Sequence, residues 1–107
     1  MGYNLNQLRK LMASNPDEFV KAISGDDIEY WDLTFAAEDA GDLPIDLCYD
    51  PLLKLVGHHY IVVREGAIYG MARHLDDSRV REVLGMVAEH DPEPLIRRIA
   101  KGVLGDE

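Results

Sequence analysis

Apolar residues recur every three to four positions along most of the chain, and no stretch shows the two-residue alternation of a half-buried strand, so the pattern predicts helices throughout. Leu5, Leu8, Leu11 and Met12 form a first stripe behind Asn4, a suitable N-cap. Asn15-Pro16-Asp17-Glu18 ends that helix and starts a short second one, with a capping amide, a proline at the first helical position and two acids at the positive helix start. Phe19, Val20 and Ile23 are its apolar face, and Ser24-Gly25 closes it. A third segment opens at Asp26-Asp27 and carries Ile28, Tyr30, Trp31, Leu33, Phe35, Ala36, Ala37 and Ala40, up to an end signal at Gly41-Asp42. Leu47, Cys48, Leu52, Leu53, Leu55 and Val56 mark a fourth helix. The helix is expected from about Asp46 to Gly57, and Pro51 inside it should kink it, so that its regular part begins near Asp50. After a turn at His58-His59-Tyr60, a fifth helix is expected over about Ile61 to Leu75. A sixth follows the Asp76-Asp77-Ser78 cap, with Val80, Val83, Leu84, Met86 and Val87 facing inward. The last runs from about Pro94 to Leu104, between the proline-rich turn His90-Asp91-Pro92-Glu93-Pro94 and Gly105.

The second half repeats itself at a spacing of about 33 residues. Val63-Arg64 falls on Ile96-Arg97, Ala67 on Ala100 and Met71 on Leu104, with His58 where the later copy has Asp91. A weaker copy, Leu33, Thr34, Ala37 and Ala40, lies about 30 residues upstream. Recurrence of a helix pair at this period is the mark of stacked hairpins.

At these residues, over roughly Ile28 to Leu104, the sequence resembles HEAT-repeat proteins of the short bacterial type, similar to phycobilisome-lyase HEAT-like repeats. The resemblance implies an all-α fold, a right-handed α-solenoid of about three hairpins. Residues 1–25 would serve as an N-terminal cap and residues 26–107 as the repeats of one domain. It also implies that second helices line a concave binding face, and that Arg64, Asp91 and Arg97 form a structural ladder between units. Its usual work is binding and scaffolding.

Charge narrows the choice of partner. The chain has a net charge of −9, which disfavours phosphate backbones and anionic membranes and favours a basic protein surface. No basic residue stands between Lys21 and Lys54, a gap holding Asp26, Asp27, Glu29, Asp32, Glu38, Asp39, Asp42, Asp46 and Asp50. Such a run is often only a solubilising face, but it also suits docking to a basic partner. Superposing the second helices puts Phe35, Glu38 and Asp39 in phase with Glu65, Ile68 and Tyr69 and with Arg98 and Lys101; Arg73 follows one turn after Tyr69. These nine residues are the expected partner-binding groove.

Chemistry is less legible. No Ser-His-Asp set, P-loop or dinucleotide glycine motif is present. Cys48, the single cysteine, lies in an apolar helix with no base near it in sequence and reads as a buried hydrophobe rather than a nucleophile. His58, His59, His74 and His90 lack the i, i+4 pairing of zinc helices, and adjacent histidines in a turn are expected to point apart. Helical glycines Gly66, Gly70, Gly85 and Gly102 suggest close packing. No apolar run reaches the ~18 residues of a membrane span. The expectation is a soluble cytoplasmic, non-enzymatic protein-interaction module without metal or cofactor, able to dimerise through its C-terminal flank. Two other readings remain: an acidic inhibitor or immunity-type protein blocking a basic nucleic-acid-handling partner, and a lyase-like or metal-binding HEAT-like enzyme subunit.

Overall fold

Each helix begins where local chemistry satisfies its first amides. In the computed structural model, which describes residues 2–105, Asn4 and Gln7 form a reciprocal capping box at the start of α1 (Leu5–Ser14), each side chain accepting from the other's backbone N–H at 2.9 Å. Asn15 serves two helices. Its N–H donates to Leu11 O at the end of α1, and its side chain accepts from Glu18 N at the start of α2 (Pro16–Ile23). Asp77 caps α6 (Ser78–His90) by accepting from Arg79 N and Val80 N. The remaining helices are α3 (Tyr30–Ala40), α4 (Ile45–Leu55), α5 (Ile61–Met71) and α7 (Pro94–Leu104). The described residues thus hold seven α-helices, one 3-10 turn (Ala72–His74) and no strand. Gly105, at φ 84°, ends α7 in the left-handed conformation that glycine adopts without strain.

Two expectations about helix extent need correction. Pro51 neither breaks nor delays α4, which runs unbroken from Ile45 with the proline inside it. Burial of Pro51 beside Cys48, Leu52 and Leu55 offsets the missing backbone hydrogen bond. The fifth helix is shorter than its pattern, because the chain tightens into the 3-10 turn after Met71.

Adjacent helices pair α1 with α2, α4 with α5 and α6 with α7, while α1, α3, α5 and α7 also adjoin in that order and α2 adjoins α4. The shortest extent of the molecule is 16 Å, against 38 and 26 Å in the other directions. Two helices packed at about 8–10 Å, each with a backbone radius of about 2.3 Å, fill roughly that thickness, so the molecule is two helices deep. One continuous core runs between the layers, with Leu8, Phe19, Ile23, Leu52, Val63, Met71, Leu84 and Ile96 fully buried.

The α3/α5 contact is the tightest. A methyl group at Gly66 would land on the Thr34 carbonyl, one at Gly70 on the Ala37 carbonyl and one at Gly41 on the Gly70 carbonyl. Backbone therefore meets backbone here, and the glycines are required by approach rather than by conformation. Gly85 and Gly102 do not share this role: a methyl group at either would meet nothing within 4 Å. Close packing explains the first pair of helical glycines and not the second.

Candidate protein-binding surface

Because Gly66 sinks onto Thr34, the groove between α3 and α5 has a low floor. Side chains one helical turn apart rise on either side. Trp31, Phe35 and Glu38 follow at i, i+4 and i+7 on α3, and Val62, Glu65 and Tyr69 at i, i+3 and i+7 on α5. Together with Thr34 and Gly66 they line a cavity of about 240 Å³. Its rings are substantially open to solvent, with Trp31 52%, Phe35 48% and Tyr69 38% exposed. The Thr34 hydroxyl, by contrast, is engaged, donating to Val62 O at 2.6 Å and tying the two helices together.

Beyond Trp31 the aromatic surface continues. Its ring lies 5.3 Å from that of Tyr30, which stacks on Tyr60 at 4.6 Å. Tyr60 in turn lies 4.4 Å from His59. His58 and His59 do not point apart as expected but stack at 4.4 Å with an 18° tilt. His58 Nδ1 accepts from Tyr60 N at 3.1 Å, which organises the turn. Burial, then the neighbouring His59, holds the His58 pKa below its ordinary value.

The nine residues expected to form the groove separate in the structure. Phe35, Glu38, Glu65 and Tyr69 line one cavity. Ile68 is fully buried and must be removed from any exposed face. The reason is that α5 is a central helix, covered by α3, α4 and α7, so a position that would be outward on a surface helix points into the core. Asp39 turns away to pair with Arg9 of α1 at 2.8 Å, and Arg73 pairs with Asp42. Arg98 and Lys101 are exposed on α7 and contribute nothing to this cavity. Trp31 and Val62 were missed as site residues. The signal was available in their spacing, four before Phe35 and three before Glu65.

The electrostatic contrast is specific. Asp39 and Asp42, along the same helix and its end, each have an arginine. Among the described residues no cation pairs with Glu38 or Glu65.

Arg64, Asp91 and Arg97 occupy quite different surroundings. Arg64 holds Asp91 with two parallel bonds, Nε to Oδ2 at 2.9 Å and Nη2 to Oδ1 at 3.1 Å, in a buried setting. Its Nη1 also donates to His58 O at 2.8 Å, six residues back. Arg97 Nη1 donates to Asp91 O at 2.6 Å, again six residues back. Asp91 Oδ1 further accepts from Glu93 N at 2.9 Å, shaping the turn before α7.

Cys48 does have a base nearby in space. Its Sγ lies 3.8 Å from His74 Nε2. That nitrogen is 2.8 Å from the Gly41 carbonyl, and since a carbonyl can only accept, Nε2 carries its proton and donates it there. Burial pushes the Cys48 thiol up to about 11. The thiol is therefore protonated at neutral pH and donates to Leu43 O at 3.7 Å; Nε2, its own proton donated to the Gly41 carbonyl, cannot take the thiol proton, so the contact generates no nucleophile. Among the described residues no three His, Cys, Asp or Glu side chains group as a metal ion would need, and no helix is long and apolar enough to cross a membrane.

A second groove, about 400 Å³ and largely apolar, lies between α4 and α6, where Leu53, Val56, Val83, Met86 and Val87 meet beside Gly57, His90 and Asp91. Met86, expected to face inward, is 59% exposed at its edge. Since α6 packs mainly on α7, its inward face is set by Val80, Leu84 and Ala88, which leaves Met86 outside.

Comparison of the chain with protein-family models, with curated proteins and with solved structures found no match.

Proposed function

We propose that the chain is a short, HEAT-like α-solenoid that works as a non-enzymatic protein-binding module, capturing a partner with a basic surface through the α3/α5 face. The architecture half of this reading is supported by the repeated hydrogen bond at Arg64 and Arg97. Two arginines 33 residues apart each hold the carbonyl six residues before them, and the first reaches on to the aspartate of the next hairpin. The order in which α1, α3, α5 and α7 adjoin agrees with stacked hairpins.

One observation carries the binding half. Exposed Trp31, Phe35 and Tyr69 surround two carboxylates that pair with no cation among the described residues, in a chain of net charge −9. Exposed rigid aromatic side chains are enriched at interface centres, and complementary charge around them steers the encounter. The test is capture from native lysate by wild type and by the Glu38→Lys/Glu65→Lys variant. A partner retained by wild type, released by raised salt and lost with the variant supports the reading. Identical capture profiles would count against it.

A further inference from the structure

We propose that the α3/α5 cavity is a receptor for a single arginine side chain presented by the partner, its guanidinium held between Glu38 and Glu65 and laid against the Trp31, Phe35 and Tyr69 rings. The proposal rests on the protein-binding reading and names the group recognised.

The inventory of the cavity selects the ligand. Its only charged groups are two carboxylates, one on each wall, and its threonine hydroxyl already donates to Val62 O. An anion would meet repulsion and no charged donor. An apolar side chain would strip water from both carboxylates without offering a hydrogen bond. A trimethylated ammonium suits aromatic walls but has no N–H to give Glu38 or Glu65. Lysine gives donors from one compact, strongly hydrated point. Arginine alone among side chains combines a weakly hydrated plane that stacks on rings with five N–H donors spread widely enough to serve two carboxylates. Thr34 and Gly66, packed backbone on backbone, close the floor of the cavity, so the aliphatic stem would lie above them along the Trp31, Phe35 and Tyr69 rings.

Trp31 is the only tryptophan in the chain, so intrinsic fluorescence reports on this cavity, and the Thr34 and Gly66 amide resonances give a second readout. Wild-type protein is titrated with N-acetyl-arginine amide, its lysine counterpart and its citrulline counterpart, which keeps the shape of arginine but is neutral. Saturable binding of the arginine compound is expected, several-fold weaker binding of lysine and no response to citrulline. Replacing one charge-assisted acceptor, Glu38→Gln or Glu65→Gln, should weaken arginine binding roughly tenfold each. Glu89→Gln, an exposed acid on α6 outside the cavity, should leave it unchanged. Lysine binding as tightly as arginine, an equal response to citrulline, an equal loss with Glu89→Gln, or no perturbation in either readout would each overturn the assignment. Arginine selectivity can fail while capture still depends on Glu38 and Glu65, in which case the binding face stands and only its ligand is wrong. The converse, arginine binding with capture indifferent to the same residues, would break the protein-binding reading instead.

Discussion

The junctions on either side of α5 join similar helices by opposite means. Toward α7, a guanidinium and a carboxylate are buried together: the Arg64 and Asp91 side chains are 10% and 5% exposed and bonded twice. Toward α3, backbone lies on backbone through Gly66 and Gly70, and the charged groups, Glu38 and Glu65, have no ion-pair partner among the described residues. The carboxylate that is sealed and matched ties neighbouring helices together. Carboxylates left open among aromatic rings are free to be matched by something else. The same functional group is thus buried and paired at one junction and open at the other, and the proposed recognition role rests on that difference.

Breaking the sealed junction should have the largest effect. Arg64→Ala leaves Asp91 charged, buried and unmatched, which costs about 3–5 kcal/mol and should lower the melting temperature by roughly 12 °C or more. Asp91→Ala should be comparably damaging, and a fall of only a few degrees in either would show that the pair is not structural.

The glycine contacts come next. Gly66→Ala drives a methyl group into the Thr34 carbonyl and should destabilise by about 1–3 kcal/mol. Gly85→Ala has open space around it and removes glycine's helix penalty, so a gain of up to about 1 kcal/mol is expected. Denaturant titration of the two variants should give shifts of opposite sign.

A smaller effect follows from His58. Its folded pKa lies below the ordinary 6.5, so the unfolded chain takes up a proton first. Above pH 6.5 both states are neutral there and stability from this group is complete; as pH falls through 6.5 toward the folded value it is lost. Protonation also removes the acceptor for Tyr60 N. Wild type should therefore lose more stability than His58→Asn between pH 7.5 and pH 5.5, as measured by urea unfolding. Equal losses would remove His58 from the pH response.

Least of all should follow from neutralising the open groove. Glu38→Gln and Glu65→Gln remove no ion pair among the described residues and should change stability by less than about 0.5 kcal/mol.

Much of the fold was legible because its signals are local. Asn4, the Asn15-Pro16 pair, Asp77 and Gly105 act within one turn of their own position, and the structure uses each as its chemistry suggests. The Arg64–Asp91 contact was expected only from the resemblance to HEAT-like repeats, which implies a ladder of this kind; no local pattern in the chain pairs the two residues. What failed depended on neighbours that no local pattern reveals. Pro51 continues a helix because tertiary burial outweighs one lost hydrogen bond. Ile68 is buried and Met86 exposed because the number of helices around α5 and α6 differs. The Cys48–His74 contact joins residues 26 apart with no repeat to relate them. In the groove, Phe35, Glu38, Glu65 and Tyr69 followed from helical phase, whereas the ion pairs of Asp39 and Arg73 depend on which arginine or aspartate stands across the way.

The division between sealed and open carboxylates is tested most directly by measuring capture and melting temperature on the same preparations of wild type and Glu38→Lys/Glu65→Lys. The predicted result is loss of the salt-sensitive partner with a melting temperature essentially unchanged. Undiminished capture, or loss of capture that only accompanies a collapse in melting temperature, would contradict a recognition role for the α3/α5 face.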